Sequence, residues 1–351
     1  MRTPSEDRGF LLDTAKLAPA IAAGLGSLVA TQVLRRRNRM DFQDRTVVIT
    51  GGSRGLGLVL AREFAAEGAR LAILARDRAE LERAEKHIAS RGAQVLALPC
   101  DVRDRRQAQG AITRVVDHYG RIDVLVNNAG VIQVGPVEHM SIEDFEEAMA
   151  VHMWGPLYTM LAAVPSMRRQ GGGRIVNIAS IGGKIAVPHL LQYSASKFAL
   201  VGLSDGMRAE LAKDGIRVTT VCPGLMRTGS PPNALFKGRH RDEFTWFVLG
   251  DSLPPASIGA RRAARQIVTA CRYGDPHLTI TAQARTAVAL SALFPGLMAR
   301  ALALTNRLLP GPAADGGDEI KTGWESEAPV AHSVLTRLTY QAAERNNEFR
   351  Q

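Results

Sequence analysis

Cysteine is scarce in this 351-residue sequence: Cys100, Cys222 and Cys271 are odd in number and show no C-x-x-C spacing. A disulfide framework and a thiolate metal site are therefore excluded, and a reducing compartment fits best. Aromatic residues amount to only 5%, and neither an RNP-like aromatic strand nor a zinc-finger spacing is present, so nucleic acid is not an expected partner. Acidic side chains are also short, 34 against 44 Lys and Arg, and the net charge of +10 suits an anionic cofactor or an anionic membrane surface. There is no internal repeat. What the chain does have is 46% hydrophobic residues, enough to fill the core of one large domain with additions.

From residue 44 onward, short apolar runs alternate with helical patterns. Strands are predicted near 46–50, 70–75, 94–99, 122–126, 173–179, 216–221 and 277–281, and helices near 55–68, 77–91, 104–119, 141–170, 193–213 and 256–272. Such alternation implies parallel βαβ units. The expected fold class is α/β: one doubly wound, Rossmann-type seven-stranded parallel sheet with helices on both faces, binding ligands beyond the carboxyl ends of its strands. Four segments follow: a hydrophobic N-terminal helix with an arginine cluster (1–40), the catalytic domain (41–281), an amphipathic helical extension (282–310), and a mobile linker with a short terminal helix (311–351).

The motifs lie where the predicted strands end. Thr50-Gly-Gly-Ser-Arg-Gly-Leu-Gly57 follows the apolar run 46–50 and opens a helix. Glycines there let the backbone approach a pyrophosphate, and the helix's free N–H groups favour the anion. Tyr193 and Lys197 stand one helical turn apart on one face. An ammonium beside a phenol lowers its pKa from the ordinary ~10, which makes Tyr193 a usable general acid/base. The same spacing also suits an amphipathic helix with a solvated lysine. Ser180 lies thirteen positions before Tyr193 at a predicted strand end, where a hydroxyl can donate to a carbonyl oxygen as charge develops on it.

Together with Asn127-Asn-Ala-Gly130 and Pro223-Gly224, these motifs resemble, in order and spacing, the short-chain dehydrogenase/reductase family over about residues 44–280. The resemblance implies an oxidoreductase that exchanges a hydride between a nicotinamide dinucleotide and a small-molecule carbonyl or alcohol, with Ser180, Tyr193 and Lys197 catalytic. It further implies cofactor contacts from Thr50, Gly51, Ser53, Arg54, Gly55, Leu56 and Gly57 in the turn, and from Asp101 and Val102 at the adenine. Asn128, Ala129 and Gly130 would lie beneath the adenosine ribose, with Asn127 structural. Lys197 and Tyr193 would hold the nicotinamide ribose, Pro223 and Gly224 would border the nicotinamide ring, and Thr228 would meet its carboxamide or the pyrophosphate.

Two departures carry information. The second strand ends without an acid and is followed by Arg76; with Arg54, two guanidinium groups would suit a 2′-phosphate, so NADP(H) is expected over NAD(H). Solvated helix-start charges are the alternative. Where the family reads V-N-x-x-G, this chain reads Val151-His-Met-Trp-Gly155. His152 is thus either a participant in proton relay to Lys197 or a histidine satisfied by packing.

Residues 225–255 form the expected substrate lid, where Phe236, Phe244, Trp246 and Phe247 beside Lys237, Arg239, His240 and Arg241 suggest a lipophilic substrate, or plain packing. Residues 17–34 carry no charge and precede Arg35, Arg36, Arg37 and Arg39. Eighteen residues sit at the short end of the ~17–25 needed to span a bilayer, and Pro19, Gly24, Gly26 and Gln32 weaken the run. The segment is either a membrane anchor, with the arginines and catalytic domain on the cytosolic side, or a soluble or interfacial helix. Residues 282–309, broken at Pro295, read as two amphipathic helices that cover the pocket or lie on a membrane surface. A helix over 334–344 is expected to dock Val334, Leu335, Leu338 and Ala342 on the domain or on a second copy in a homo-oligomer. Against an enzyme stands a rival class, a cofactor-binding scaffold or sensor with little turnover.

Overall fold

All seven predicted strands join one parallel sheet in the computed structural model, which describes residues 35–252, 257–334 and 336–349. In chain order the strands are β1 (Thr46–Thr50), β2 (Arg70–Ala75), β3 (Val95–Pro99), β4 (Val124–Asn127), the two-residue β5 (Gln133–Val134), β6 (Gly173–Ile178), β7 (Ile216–Pro223), β8 (Leu225–Arg227), β9 (Leu235–Phe236), β10 (Ser257–Gly259), β11 (His277–Ile280) and β12 (Lys321–Thr322). The large sheet runs β11-β7-β6-β4-β1-β2-β3. Its order reverses between β1 and β4, which opens a crevice above their carboxyl ends.

Both faces of the sheet are covered, which is why its strands carry runs of consecutive buried residues rather than burial at alternate positions. Ile49, Ile73, Val126 and Val176 face the helices Gly55–Ala66 and Ala260–Tyr273, whereas Val48, Leu74, Leu125 and Ile175 belong to the opposite layer. Each is buried, and burying such a side chain contributes about 1.5–3 kcal/mol. The long helix predicted over 141–170 is two helices, Ile142–Met149 and Gly155–Arg169, joined through a π-helical turn at Ala150–Trp154. Cys100, Cys222 and Cys271 are free and buried.

The appended segments differ from expectation. Residues 311–328 are a strap rather than a mobile linker: β12 pairs antiparallel with β9, and Gly238 N–H donates to the Gly317 carbonyl at 2.7 Å. Two helices do form at Ala282–Leu293 and Pro295–Leu308, but among their residues only Ala284 is buried, so they do not cover the pocket. The last helix, Arg337–Arg345, buries Thr339 and Ala343, while Val334 and Leu338 point to solvent. Its docking face is therefore polar and small-residue, not the apolar side that the sequence suggested. No helix among the described residues is long and apolar enough to cross a membrane. Residues 17–34 lie outside the described residues.

Candidate functional site

The glycine turn closes over itself at the end of β1. A Cβ on Gly57 would lie 2.0 Å from the Gly51 carbonyl oxygen, so no other residue fits there. Gly51, at φ +64°, packs within 2.9 Å of the Ala129 backbone by the same measure. Thr50 braces the crevice: its hydroxyl oxygen accepts from the Asn128 and Ala129 N–H groups at 3.0 and 3.1 Å. The Asn128 amide donates to the Thr50 and Gly51 carbonyls at 3.1 Å each. Asn127 bonds Asn177 at 2.8 Å across to β6, a structural role as expected. A turn held this closely, opening the helix Gly55–Ala66, fits the phosphates of a dinucleotide.

At the adenosine end the side chains expected to meet the cofactor are engaged with one another. Arg54 donates to Glu80 at 3.1 Å and to Asn233 at 3.0 Å, and the Ser53 hydroxyl donates to the other Glu80 oxygen at 3.0 Å. Arg76 is exposed at the end of β2. Asp101 is held by Arg103 through both carboxylate oxygens, and that guanidinium also reaches Glu147. Val102 is buried against Gly155 in the core, so its side chain is a packing element. Glu80, which no sequence motif marks, is the neighbour that any 2′-phosphate held by Arg54 would have to displace.

The carboxyl edge brings Ser180, Tyr193 and Lys197 together. Ser180 follows β6 and accepts from the Gly182 N–H at 3.0 Å, and its hydroxyl acts on the Tyr193 phenol in the sense that lowers its pKa. Lys197 projects from the same helix, Leu191–Leu211. Its Nζ lies 5.6 Å from the Tyr193 ring centroid and donates to the Ile178 carbonyl at 2.9 Å. Burial outweighs these contacts: it pushes the phenol up to about 12 and the lysine down to about 7. The expected acidification of Tyr193 by a neighbouring ammonium is therefore not the dominant effect in this closed geometry. The cavity beside Tyr193, lined by Val131, Gln133, Asp144, Glu147, Ala148 and Gln192, measures about 10 Å³, room for about one water.

His152 sits in the π-helical turn and is fully buried. Its Nε2 accepts the Val131 N–H at 3.1 Å, which leaves the proton on Nδ1; that N–H donates to the Ser196 hydroxyl at 2.8 Å. Ser196 in turn donates to the Tyr193 carbonyl at 2.8 Å. Desolvation, and then the Lys197 charge, hold the imidazole well below its ordinary pKa. With both nitrogens engaged by neutral partners, the side chain braces the Tyr193 helix.

Pro223 ends β7, and the following Gly224 packs against Thr281, where a Cβ would meet the threonine hydroxyl at 2.9 Å. Thr228 is buried, and its hydroxyl pairs with Ser230 at 2.5 Å. The lid rings form a core of their own: Phe236, Phe244 and Phe247 are buried with Val134 and Leu190. The basic rim is likewise engaged, Lys237 with Asp144 at 2.6 Å and Arg239 with Asp242 at 2.6 Å. These rings therefore give no ground for a lipophilic substrate. Two buried carboxyls escaped the sequence reading, Asp251 on the lid helix His240–Ser252 and Glu348 after the last helix; burial pushes each up to about 7. Neither sits in a motif, and only tertiary packing brings them to the cleft.

The comparisons agree with this geometry. Residues 45–234, more than half of the chain, match the family model "short chain dehydrogenase". The "dehydrogenase/reductase SDR family protein 7-like" of Anopheles gambiae is 38% identical over 231 residues, 64% of this chain and 73% of the relative. A ketoacyl reductase of Nostoc sp. is 37% identical over 182 residues, covering 52% of this chain and 63% of that one. Among solved structures, the L-sorbose reductase from Gluconobacter frateurii, complexed with NADPH and L-sorbose, superposes with a TM-score of 0.62 at 25% identity, covering 69% of this chain and 97% of that chain. A short-chain type dehydrogenase/reductase from Mycobacterium marinum gives 0.60 at 28% identity, covering 68% and 94%. The chain belongs to the short-chain dehydrogenase/reductase family.

Proposed function

We propose that the protein is an NADP(H)-dependent oxidoreductase that interconverts a carbonyl and an alcohol. The observation that carries this reading is the meeting of Ser180, Tyr193 and Lys197 at the carboxyl edge, beside a turn that only glycine can form. A bound nicotinamide supplies the hydride in one direction and accepts it in the other. In reduction, the Tyr193 phenol gives its proton to the carbonyl oxygen while the Ser180 hydroxyl donates to that same atom as it gains charge. Lys197, as an ammonium on the same helix face, favours the resulting phenolate.

The preference for NADP(H) rests on Arg54 and Arg76, and requires Arg54 to exchange Glu80 for phosphate. The NADPH complex of the sorbose reductase supports the same choice. A second reading, a cofactor-binding scaffold or sensor, is favoured by the filled cleft around Tyr193. A panel of aldehydes and ketones assayed with NADPH and with NADH separates the two. Turnover that is lost in Tyr193→Phe supports the enzyme, dinucleotide binding without turnover supports the scaffold, and a clear preference for NADH refutes the NADP(H) assignment.

For location, we propose that the helical pair Ala282–Leu293 and Pro295–Leu308 lies on an anionic membrane surface on the cytosolic side. It exposes Leu290, Leu293, Phe294, Leu297, Leu304 and Leu308, and no acid stands between Asp275 and Asp315, while Arg285, Arg300 and Arg307 do. That pairing of apolar surface with positive charge suits an interfacial helix. Vesicles containing anionic lipid should float the protein, and Leu293→Glu with Leu297→Glu should leave it behind. Flotation unaffected by these changes defeats the assignment, as does finding that the pair instead holds two copies together in sedimentation.

A further inference from the structure

The helix Arg337–Arg345 ends in a manner that aims the following residues into the glycine turn. Asn347 adopts φ +60°, and the Glu348 N–H returns to the Ala343 carbonyl at 3.0 Å. This is the six-to-one bond of a Schellman motif with Asn in its left-handed position. The chain thereby leaves the helix axis and enters the crevice at the end of β1.

There it takes the donors that a phosphate would use. The Gly55 N–H, at the first residue of the helix after the turn, donates to the Asn346 carbonyl at 2.9 Å. The Gly229 N–H donates to the Glu348 carboxylate. The Asn347 amide donates to the Ser53 and Glu80 carbonyls at 2.9 and 3.1 Å, and the Asn233 amide donates to the Glu348 carbonyl at 2.9 Å. Arginines clamp the flanks: Arg62 donates to the Arg345 carbonyl at 2.8 Å, and Arg83 to the Asn347 side-chain oxygen at 2.8 Å. Two glycines make room. A Cβ on Gly229 would lie 2.7 Å from those of Ala343 and Glu348, and one on Gly55 would lie 2.9 Å from a Glu348 carboxylate oxygen.

We propose that Asn346, Asn347 and Glu348 are an intramolecular competitor for the diphosphate position, so that a dinucleotide binds only as this segment withdraws. The Asn346 carbonyl and the Glu348 carboxyl occupy the Gly55 and Gly229 N–H groups, setting oxygens where phosphate oxygens would accept. Being tethered, it competes at an effective concentration in the millimolar range without a high intrinsic affinity. The inference rests on the glycine turn being the dinucleotide site.

The test is equilibrium titration of the full chain with NADPH and with NADH, followed by nucleotide fluorescence, for wild type, Glu348→Ala and the exposed control Glu344→Ala. Hydrogen exchange of residues 337–349 in the wild type is measured with and without saturating dinucleotide. Glu348→Ala is expected to bind at least tenfold more tightly, the control within twofold of wild type, and exchange in 337–349 should rise on ligand binding. Equal Kd values for wild type and Glu348→Ala overturn the proposal, as does protection of 337–349 that persists with dinucleotide bound. If neither wild type nor variant binds either dinucleotide, the assignment of the turn fails and takes this proposal with it, a result distinct from binding that Glu348 does not influence.

Discussion

Two helices deliver side chains to one cleft, and they are built to opposite specifications. Leu191–Leu211 is 21 residues long and buries Gln192, Ser194, Ser196, Lys197, Leu200 and Val201 among others. It is tied to the sheet through Asn177–Ser204 at 3.0 Å and to β5 through Gln192–Gln133 at 2.8 Å. Arg337–Arg345 has nine residues, too few to be stable alone, and buries only Thr339 and Ala343. The first can move Tyr193 only by disturbing the core. The second is held mainly by hydrogen bonds, each with a net contribution of about 0.5–1.5 kcal/mol, so it can leave without disturbing the core. The same cleft therefore has a fixed wall and a removable one.

The largest effects should come from the fixed wall. Tyr193→Phe removes the proton donor while keeping the ring, so kcat should fall about 10²–10⁴-fold, far more than the dinucleotide Kd rises; a Kd that changes in step with kcat would leave Tyr193 a binding group alone. Next, Phe64→Ala, which removes a fully buried ring packed 5.0 Å from Phe42, should cost about 3–5 kcal/mol of global stability. Phe349→Ala, at a ring that touches Trp324 and Tyr340 at 5.1 and 6.5 Å, should leave the main unfolding transition nearly unchanged and raise exchange only in 337–349. If both substitutions lowered the main transition alike in denaturant melts, the two walls would be one cooperative unit.

A smaller, graded effect follows from pH. Burial raises the docked Glu348 carboxyl to about 7 against the opposing pull of the Gly229 N–H and Arg54, with Glu80 and Asp251 adding to the rise. A carboxyl whose pKa is raised on docking holds its proton more tightly when docked. Docking is thus favoured as pH falls below about 7 and weakens as pH climbs towards it. Dinucleotide affinity should therefore drop as pH is lowered from 8 to 5, by at most about tenfold per unit for one proton. Asp251, also at about 7, would shift in the same sense, so the diagnostic reading is the slope that Glu348→Gln removes. An unchanged slope in that variant would exclude Glu348 as its source.

Most of the fixed wall is legible in the sequence, and little of the removable one is. β1 and β2 fall at the residues predicted because short, doubly buried apolar runs alternating with helical patterns read as parallel strands. Thr50 through Gly57, Ser180 and Tyr193 are spaced by strand and helix lengths, so order alone brings them to one edge. Glu348 has no such tether. Its position depends on the left-handed turn at Asn347 and on the absence of a Cβ at Gly55 and Gly229, features of packing between segments nearly 300 residues apart in the case of Gly55. The lid rings misled for a related reason: periodicity reports that Phe236 and Phe244 are buried, not whether they enclose substrate or one another. The sequence alone leaves Arg54 available to a phosphate because Glu80, 26 positions on, carries no motif to announce the pairing.

The smallest expected change is at His152, and it sharpens the account of the fixed wall. The imidazole is neutral, receives the Val131 N–H and donates to Ser196, whose hydroxyl holds the Tyr193 carbonyl. Asparagine offers one acceptor and one donor group on a shorter stem, so His152→Asn can keep one contact but cannot span both. Losing one buried hydrogen bond costs about 1–3 kcal/mol, which should appear as a lower melting temperature and, through slackened placement of Tyr193, a decrease in kcat of less than tenfold. The pH profile of kcat/KM should keep its shape, because an imidazole held far below its ordinary pKa contributes no titration near neutrality. Disappearance of a near-neutral limb in His152→Asn would show that the histidine exchanges protons during turnover, and the brace would then have to be read as one end of a relay.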